Sequence, residues 1–165
     1  MNVVFISPHF PEYYHNFCSR LKDRGVNVLG VGDCPYDMIS DETKNSLTEY
    51  YYVGSLENYD EVYRACAYFS SQYGKIDWIE SENEYWLELE ATLRRDFNVT
   101  TGPQIQDMRW MKYKSAMKEV YKSAGLKVAD YIKLDTLDEA LEFTKKNGYP
   151  VIVKPSDVVE YNHLS

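Results

Sequence analysis

The sequence has few cysteines and lacks any apolar run long enough to span a bilayer. Its three cysteines, Cys18, Cys34 and Cys66, are an odd set without paired spacing. This argues against a disulfide framework or a zinc site and favours reduced thiols in a cytoplasmic protein. The stretch MNVVFISPHF has no basic region followed by a long apolar one, so it predicts a β-strand rather than a signal peptide. These absences predict a soluble globular protein with no membrane partner.

Positive charge is also scarce, because 18 Lys and Arg stand against 26 Asp and Glu, a net charge of −8. General nucleic-acid binding depends on neutralising phosphates, so this composition argues against a nucleic-acid partner. The imbalance lies in the first hundred residues, which carry 17 acidic and 8 basic side chains, whereas the rest carry 9 and 10. A local basic run from Arg109 to Lys127 predicts anion binding in this later part.

Two common phosphate-binding motifs are missing, because neither GxGxxG nor GxxxxGK[ST] occurs. No Ser–His–Asp or Cys–His arrangement can be argued, and the three histidines lack metal-ligand spacing. Any chemistry therefore has to be sought at strand ends and among the lysines.

Short apolar runs alternate with helical periodicity through the first hundred residues. Asn2–Ser7 and Val26–Val31 are continuous apolar runs, as in buried strands of a parallel sheet, and they flank a helix that Gly25 ends. This β-α-β unit predicts an α/β fold with a Rossmann-like parallel sheet. The other predicted elements are the helices Tyr14–Arg24, Asp41–Leu47, Asn58–Tyr73 and Glu84–Phe97 and the strands Tyr50–Val53, Ile76–Glu80 and Asn98–Thr100.

The sequence after this layer has its own organisation, which predicts one domain over residues 1–103 and a second over residues 104–165. Thr136 and Glu139 have the spacing of a capping box at the start of a helix. The elements predicted for the second domain are the helix Met111–Ala124, the strand Tyr131–Leu134, the helix Thr136–Asn147 and the strand Val151–Lys154.

Two lysines of the second domain are the strongest candidates for ligand binding. Lys154 ends the apolar strand of YPVIVKPS, and Lys114 lies on the basic helix. Burying an unpaired ammonium is costly, so a lysine that emerges from a buried strand is expected to have an anionic partner. Phosphate is the natural candidate, and the basic helix could place Lys114 on the same anion.

These segments resemble the first subdomain of the ATP-grasp fold, the group that includes biotin carboxylase, the carbamoyl phosphate synthase large subunit and many carboxylate–amine ligases. Lys114, ten residues before the pair Ala124-Gly125, and Lys154, at the end of a YPVIxKP-type strand, match the family's two phosphate-binding lysines. Ile152 matches the apolar residue that lies against adenine. The resemblance covers essentially the whole chain, because such enzymes begin with a Rossmann-like domain without a dinucleotide fingerprint.

The resemblance implies ATP with Mg²⁺ as the cofactor and small-molecule carboxylate and amine substrates as partners. The carboxylate would be activated as an acyl phosphate, which an amine or similar nucleophile attacks. The family's metal ligands belong to a second subdomain without a counterpart in these residues, so they are expected outside this chain. We therefore expect the N-terminal part of an ATP-dependent ligase that is inactive by itself.

The tail KPSDVVEYNHLS departs from the family, because it has no glycine where a glycine-rich loop normally covers the phosphates. Either this is one of the ligases with a non-glycine sequence there, or the tail is not the native continuation. The alternative function is a non-catalytic module with a vestigial ATP-grasp lobe that binds a small molecule or a partner chain. Uncovered apolar strand edges also predict a homo-oligomer.

His9 and Glu84 are candidate substrate contacts in the first domain. His9 follows the first strand in the turn SPHFP, and Glu84 follows the fourth strand together with Glu80 and Glu82. Ligands of doubly wound sheets bind at the carboxyl ends of the strands. The structural alternatives are a turn histidine and an acid cluster stabilised by a helix N-terminus.

Overall fold

The structure, a computed structural model, describes residues 1–154. It contains two compact units, Met1–Ile105 and a second that begins at Gln106. The first unit comprises β1 (Asn2–Ile6), α1 (His15–Lys22), β2 (Asn27–Gly32), α2 (Asp41–Ser46), β3 (Glu49–Tyr52), α3 (Tyr59–Tyr73), β4 (Trp78–Glu80) and α4 (Leu87–Asp96), with 3-10 turns at Glu12–Tyr14, Tyr36–Met38 and Glu84–Trp86. The turn Ile105–Asp107 precedes α5 (Met108–Lys112), α6 (Lys114–Ser123) and α7 (Leu137–Asn147).

The strands of the first unit form a four-stranded parallel sheet in the order β3-β2-β1-β4. Val4 of β1 lies beside Leu29 of β2 and Ile79 of β4. The central strands β1 and β2 are buried on both faces, which is why their sequences are continuous apolar runs rather than alternating ones. The predicted α/β fold with a Rossmann-like parallel sheet is confirmed. Its strand order reverses between β1 and β4.

Each face of the sheet carries its own apolar cluster. On one face, Val4 and Leu29 belong to the larger cluster with Phe69 of α3 and Leu93 of α4. On the other face, Phe5 and Val28 pack with Tyr14, Cys18 and Leu47 beside α1 and α2. Burying one such side chain completely stabilises the fold by roughly 1.5–3 kcal/mol, so the sheet and its flanking helices hold the strand ends in fixed positions.

Three predicted strands, Asn98–Thr100, Tyr131–Leu134 and Val151–Lys154, are not strands in the structure. A strand requires a neighbouring backbone with which to exchange hydrogen bonds. Asn98 has a left-handed φ of 52°, and the Val99 amide donates to the Arg94 carbonyl at 2.7 Å, so this segment ends α4. Within residues 106–154 no strand ladder forms, so the apolar runs there lack a partner.

The second unit is helical over its described residues. The predicted helix Met111–Ala124 is wrong as a single element, because the extended backbone of Tyr113 (ψ 114°) separates α5 from α6. The predicted cap of α7 is confirmed: the Glu139 amide donates to the Thr136 hydroxyl at 3.3 Å, and the Glu139 carboxylate accepts the Thr136 amide at 3.1 Å. Among residues 1–154 no helix is both long enough and apolar enough to cross a membrane.

Candidate functional site

The carboxyl edge of the sheet has unusual backbone geometry where the strand order reverses. Ser7 follows β1 and Glu82 follows β4, and they have left-handed φ angles of 55° and 57°. A side-chain-bearing residue in this region costs roughly 1–2 kcal/mol, and such strain concentrates at functional sites. Ligands of open α/β sheets bind in the crevice at such a reversal. This edge is therefore the first candidate site.

His9 lies at this edge on the side of β2. Its Nε2 is 3.4 Å from the Asp33 carboxylate, and burial lowers the pKa of His9 although Asp33 partly opposes this shift. Its Nδ1 is buried and has no hydrogen-bond partner among the described residues. A Cβ on Gly32 would lie 2.9 Å from that nitrogen and would clash with the Tyr50 hydroxyl. Only glycine at position 32 leaves room for the side chains of His9 and Tyr50 beside β2.

Tyr50 closes the same corner, because its hydroxyl donates to the Cys34 carbonyl at 2.6 Å and burial raises the pKa of Tyr50. Glu84 is exposed and opens the 3-10 turn after Asn83, whose side chain caps the Tyr85 amide at 3.0 Å. No hydrogen bond or ion pair in the described part of the chain joins His9 to Glu84. Substrate contact by either residue therefore stays a prediction.

A buried charge network lies behind β4 and was not predicted from the sequence. Arg94 and Glu90 of α4 are fully buried, and their guanidinium and carboxylate groups are 3.0 Å apart. Arg94 also donates to the Ile79 carbonyl at 3.1 Å and lies 3.5 Å from the Glu80 carboxylate, while the Ser81 hydroxyl donates to Glu90. The network fastens the end of β4 to α4. Its only signal in the sequence is an i, i+4 charge pair among apolar helical positions.

The charge balance of this network affects the protonation of Glu90. Two carboxylates, the half-buried Glu80 and the fully buried Glu90, share the guanidinium of Arg94. Burial, with the neighbouring Glu80, raises the pKa of Glu90 to about 7, although Ser81 and Arg94 oppose the shift. A proton on Glu90 at slightly acidic pH would leave the network neutral. The network can therefore change its charge near neutral pH.

The lysines predicted for phosphate binding lie in the second unit. Lys114 is the first residue of α6 and is half-buried. Lys154 is exposed, as are its neighbours Ile152 (80%) and Val153 (72%). The prediction of a buried strand before Lys154 is thus wrong, because no neighbouring strand covers this segment within residues 1–154. The inference that Lys154 needs an anionic partner because it is buried fails for the same reason. Whether Lys114, Lys154 and Ile152 bind ATP stays a prediction.

The basic face of α6 is not simply solvated. The ammonium groups of Lys118 and Lys122 lie 4.4 and 4.8 Å from the centre of the Tyr131 ring, which is cation–π distance. The Tyr131 hydroxyl donates to the Ser115 carbonyl at 3.4 Å. These contacts hold the segment after α6 against the helix without strand pairing.

The three cysteines are free, and they differ in their surroundings. Cys18 and Cys66 are buried, which raises the pKa of each thiol to about 12, whereas Cys34 is partly exposed at the carboxyl edge of the sheet. Over residues 1–154, no group of three His, Cys, Asp or Glu side chains is arranged to hold a metal ion.

Comparison with known proteins identifies the fold. No family model matches the chain. The L-arginine-specific L-amino acid ligase of Bacillus subtilis is 32% identical over 83 residues, which are 50% of this chain and 20% of that protein. The L-amino acid ligase from Bacillus licheniformis superposes with a TM-score of 0.54 at 14% identity, over 88% of this chain and 41% of that one.

Two biotin carboxylase domains have the same fold. That of the Hydrogenobacter thermophilus 2-oxoglutarate carboxylase, a dimer with MgADP and bicarbonate, has a TM-score of 0.59 at 21% identity and covers 90% of this chain and 33% of that one. That of a single-chain bacterial carboxylase has a TM-score of 0.63 at 15% identity, covering 90% and 35%. Both groups of relatives are ATP-grasp enzymes, so the resemblance predicted from the sequence is confirmed. The chain spans less than half the length of each relative.

Proposed function

We propose that this chain is part of an ATP-dependent ligase that activates the carboxylate of an amino acid and joins it to an amine. The carrying observation is a fold shared with ATP-grasp enzymes over 88–90% of the chain, together with Lys114 in the first turn of α6. The names of two relatives, both L-amino acid ligases, support amino acids as the substrate class.

The chemistry of the second unit suits a polyphosphate. The first turn of a helix has free amide N–H groups and the positive end of the helix dipole, and Lys114 adds an ammonium group there. Lys154 and Ile152 are exposed and therefore accessible to a nucleotide. For Mg²⁺ the described residues offer no cluster of three ligating side chains, so we assign it no residue of this chain.

ATP would supply the phosphoryl group that activates the carboxylate. In the proposed reaction a carboxylate oxygen bonds to the γ-phosphorus as the bond to ADP breaks, giving an acyl phosphate. The amine nitrogen then bonds to the acyl carbon, and inorganic phosphate leaves. Lys114 and Lys154 would hold the phosphates and offset negative charge during transfer. In the first unit, His9 and Glu84 are the proposed substrate contacts.

The test is amino-acid-dependent phosphate release by the complete protein that contains this chain. Lys114→Ala and Lys154→Ala should each lower turnover on the order of 100-fold, the usual effect of removing one donor that stabilises transition-state charge. Lys133→Ala, at an exposed lysine of the same unit, is the matched control and should leave turnover unchanged. Undiminished turnover in Lys154→Ala would remove the assignment of that lysine.

Calorimetric titration with MgATP examines the chain by itself. We expect weak or no binding, because the proposed ligase places its metal ligands outside this chain. Micromolar binding would instead favour a nucleotide-binding module that functions without further residues.

A further inference from the structure

A groove of about 540 Å³, here named the β1–β4 groove, runs along one face of the sheet in the first unit. Val3 pairs with Trp78 and Phe5 with Glu80 across β1 and β4, so these four side chains line the floor of the groove on one face. The volume is within the range of small-molecule sites, roughly 300–1,000 Å³. The floor spans two residues along each strand, about 7 Å, which is also the backbone length of a dipeptide.

Helix α1 and the turn after it form the wall of the β1–β4 groove. Phe17, Leu21 and Arg24 follow one another at i, i+4 and i+7, with Arg20 beside them, so one helical face borders the groove. Phe17 is 42% exposed, and its ring is held by an edge-on contact with Tyr14 at 5.6 Å. The groove is therefore lined by apolar surface and by arginines along the same wall.

The carboxyl end of the groove is acidic. The carboxylates of Glu80 and Glu82 line it, and burial together with Glu80 raises the pKa of Glu82. The left-handed backbone of Glu82 is fixed by the Tyr14 hydroxyl, which donates to its carbonyl at 2.7 Å. In residues 1–154 no basic side chain lies within ion-pair distance of the Glu82 carboxylate. Because the Glu80 carboxylate already lies 3.5 Å from the Arg94 guanidinium, Glu82 is the carboxylate with which a ligand cation at this end would pair.

We propose that the β1–β4 groove binds a zwitterion with an apolar side chain, that is, an amino acid or a short peptide. The ammonium group lies at Glu82, the side chain on Phe17 and Trp78, and the carboxylate at Arg20, where it replaces the Asp23 carboxylate that lies 3.7 Å from this guanidinium. Charge of both signs along an apolar floor matches a ligand that carries both charges better than one that carries a single charge. The choice of amino-acid chemistry rests on the proposed function, but binding in this groove requires neither ATP nor turnover.

The test titrates the 165-residue chain with L-leucine and with L-leucyl-L-leucine in the absence of ATP, following the NMR signals of the Glu82 amide and the Trp78 indole. We expect the dipeptide to bind with a dissociation constant on the order of 1 mM or below. The amine 3-methylbutylamine and the acid 4-methylpentanoate, which each lack one charge, should bind at least about tenfold more weakly. Tighter binding of leucine would indicate a free amino acid as the ligand, and tighter binding of the dipeptide would indicate a peptide.

Glu82→Gln and Arg20→Gln should each weaken binding on the order of tenfold, while Glu42→Gln and Arg64→Gln, at exposed positions of the same unit, should not. The absence of shifts at about 20 mM ligand, or equal affinity in all four variants, overturns the proposal. It is also overturned if sedimentation finds a dimer that Phe17→Asp dissociates, because the groove is then an interface between copies. Because the titration contains no ATP, a failure to bind these ligands would not affect the phosphate-release test of the proposed function. Likewise, a failure to release phosphate would not affect the test of the groove.

Discussion

Replacing Glu90 with glutamine tests whether this buried carboxyl carries a proton near neutral pH. Burial and the neighbouring Glu80 raise the pKa of Glu90 from 4.5 to about 7 in the folded chain. Because the folded state then binds the proton more tightly than the unfolded state does, the stabilisation is fully present below about pH 4.5 and is lost as the pH rises through about 7. Wild-type stability should therefore contain a component that falls over this window.

The size of this component follows from the gap between the two pKa values. One pKa unit corresponds to about 1.4 kcal/mol, so the gap amounts to about 3 kcal/mol of unfolding free energy by about pH 8. Glutamine carries no charge at any pH, and its amide oxygen can still accept a hydrogen bond from Arg94. Since part of this loss has occurred by pH 5, the difference in stability, wild type minus Glu90→Gln, should fall by about 2 to 3 kcal/mol between about pH 5 and pH 8.

The assay is urea unfolding followed by circular dichroism at about pH 5, 6, 7 and 8. Glu42→Gln, at an exposed helical glutamate, controls for the loss of a negative charge. The lowered pKa of His9 gives an opposite trend, with stability lost as the pH falls, but this trend is common to both proteins and cancels in the difference. Parallel pH profiles for wild type and Glu90→Gln would refute the reasoning, because Glu90 would then be ionised and paired with Arg94 throughout.

Two further substitutions test local contacts, the first by urea unfolding and the second by hydrogen exchange. Gly102→Ala should destabilise the first unit by more than Gly25→Ala does: both glycines have φ of +77°, which costs alanine about 1 kcal/mol, but only at Gly102 would a Cβ meet Arg94 at 3.0 Å. Equal losses of stability in the two variants would contradict this expectation, because the Arg94 side chain would then move away from the new Cβ without cost. Thr136→Ala should destabilise α7 by about 1 kcal/mol through loss of its capping box with Glu139, and unchanged hydrogen-exchange protection in α7 would contradict this.

The two central strands of the sheet could be predicted because each is a short, continuous apolar run between breakers. Asn2–Ser7 and Val26–Val31 were predicted within one residue of β1 and β2 at each end. The same rule failed for Tyr131–Leu134 and Val151–Lys154, which have strand-like composition but no pairing strand in residues 1–154. Local composition indicates a preference for extended backbone, whereas a strand depends on a neighbour that local sequence does not specify.

The sequence predicts a candidate site at the strand ends but does not predict the contacts of its side chains. The position of His9 follows from the rule that ligands lie at strand ends. Its ion-pair partner Asp33, however, follows β2, and Tyr50, which closes the same corner, lies on β3, so only the folded sheet brings these residues together. Glu90 and Arg94 were part of a correctly predicted helix. Their complete burial depends on how α4 packs on the sheet, which helical periodicity alone does not determine.

The contrast among the three cysteines makes the natural chain suited to single-site labelling. A thiol reacts as its thiolate, and at neutral pH the buried Cys18 and Cys66, with pKa values of about 12, hold almost none. A maleimide dye should therefore attach at Cys34, whose carbonyl accepts the Tyr50 hydroxyl at the carboxyl edge of the sheet. Without any engineered cysteine, the fluorescence of such a conjugate would report events at the edge where β1, β2 and β3 end.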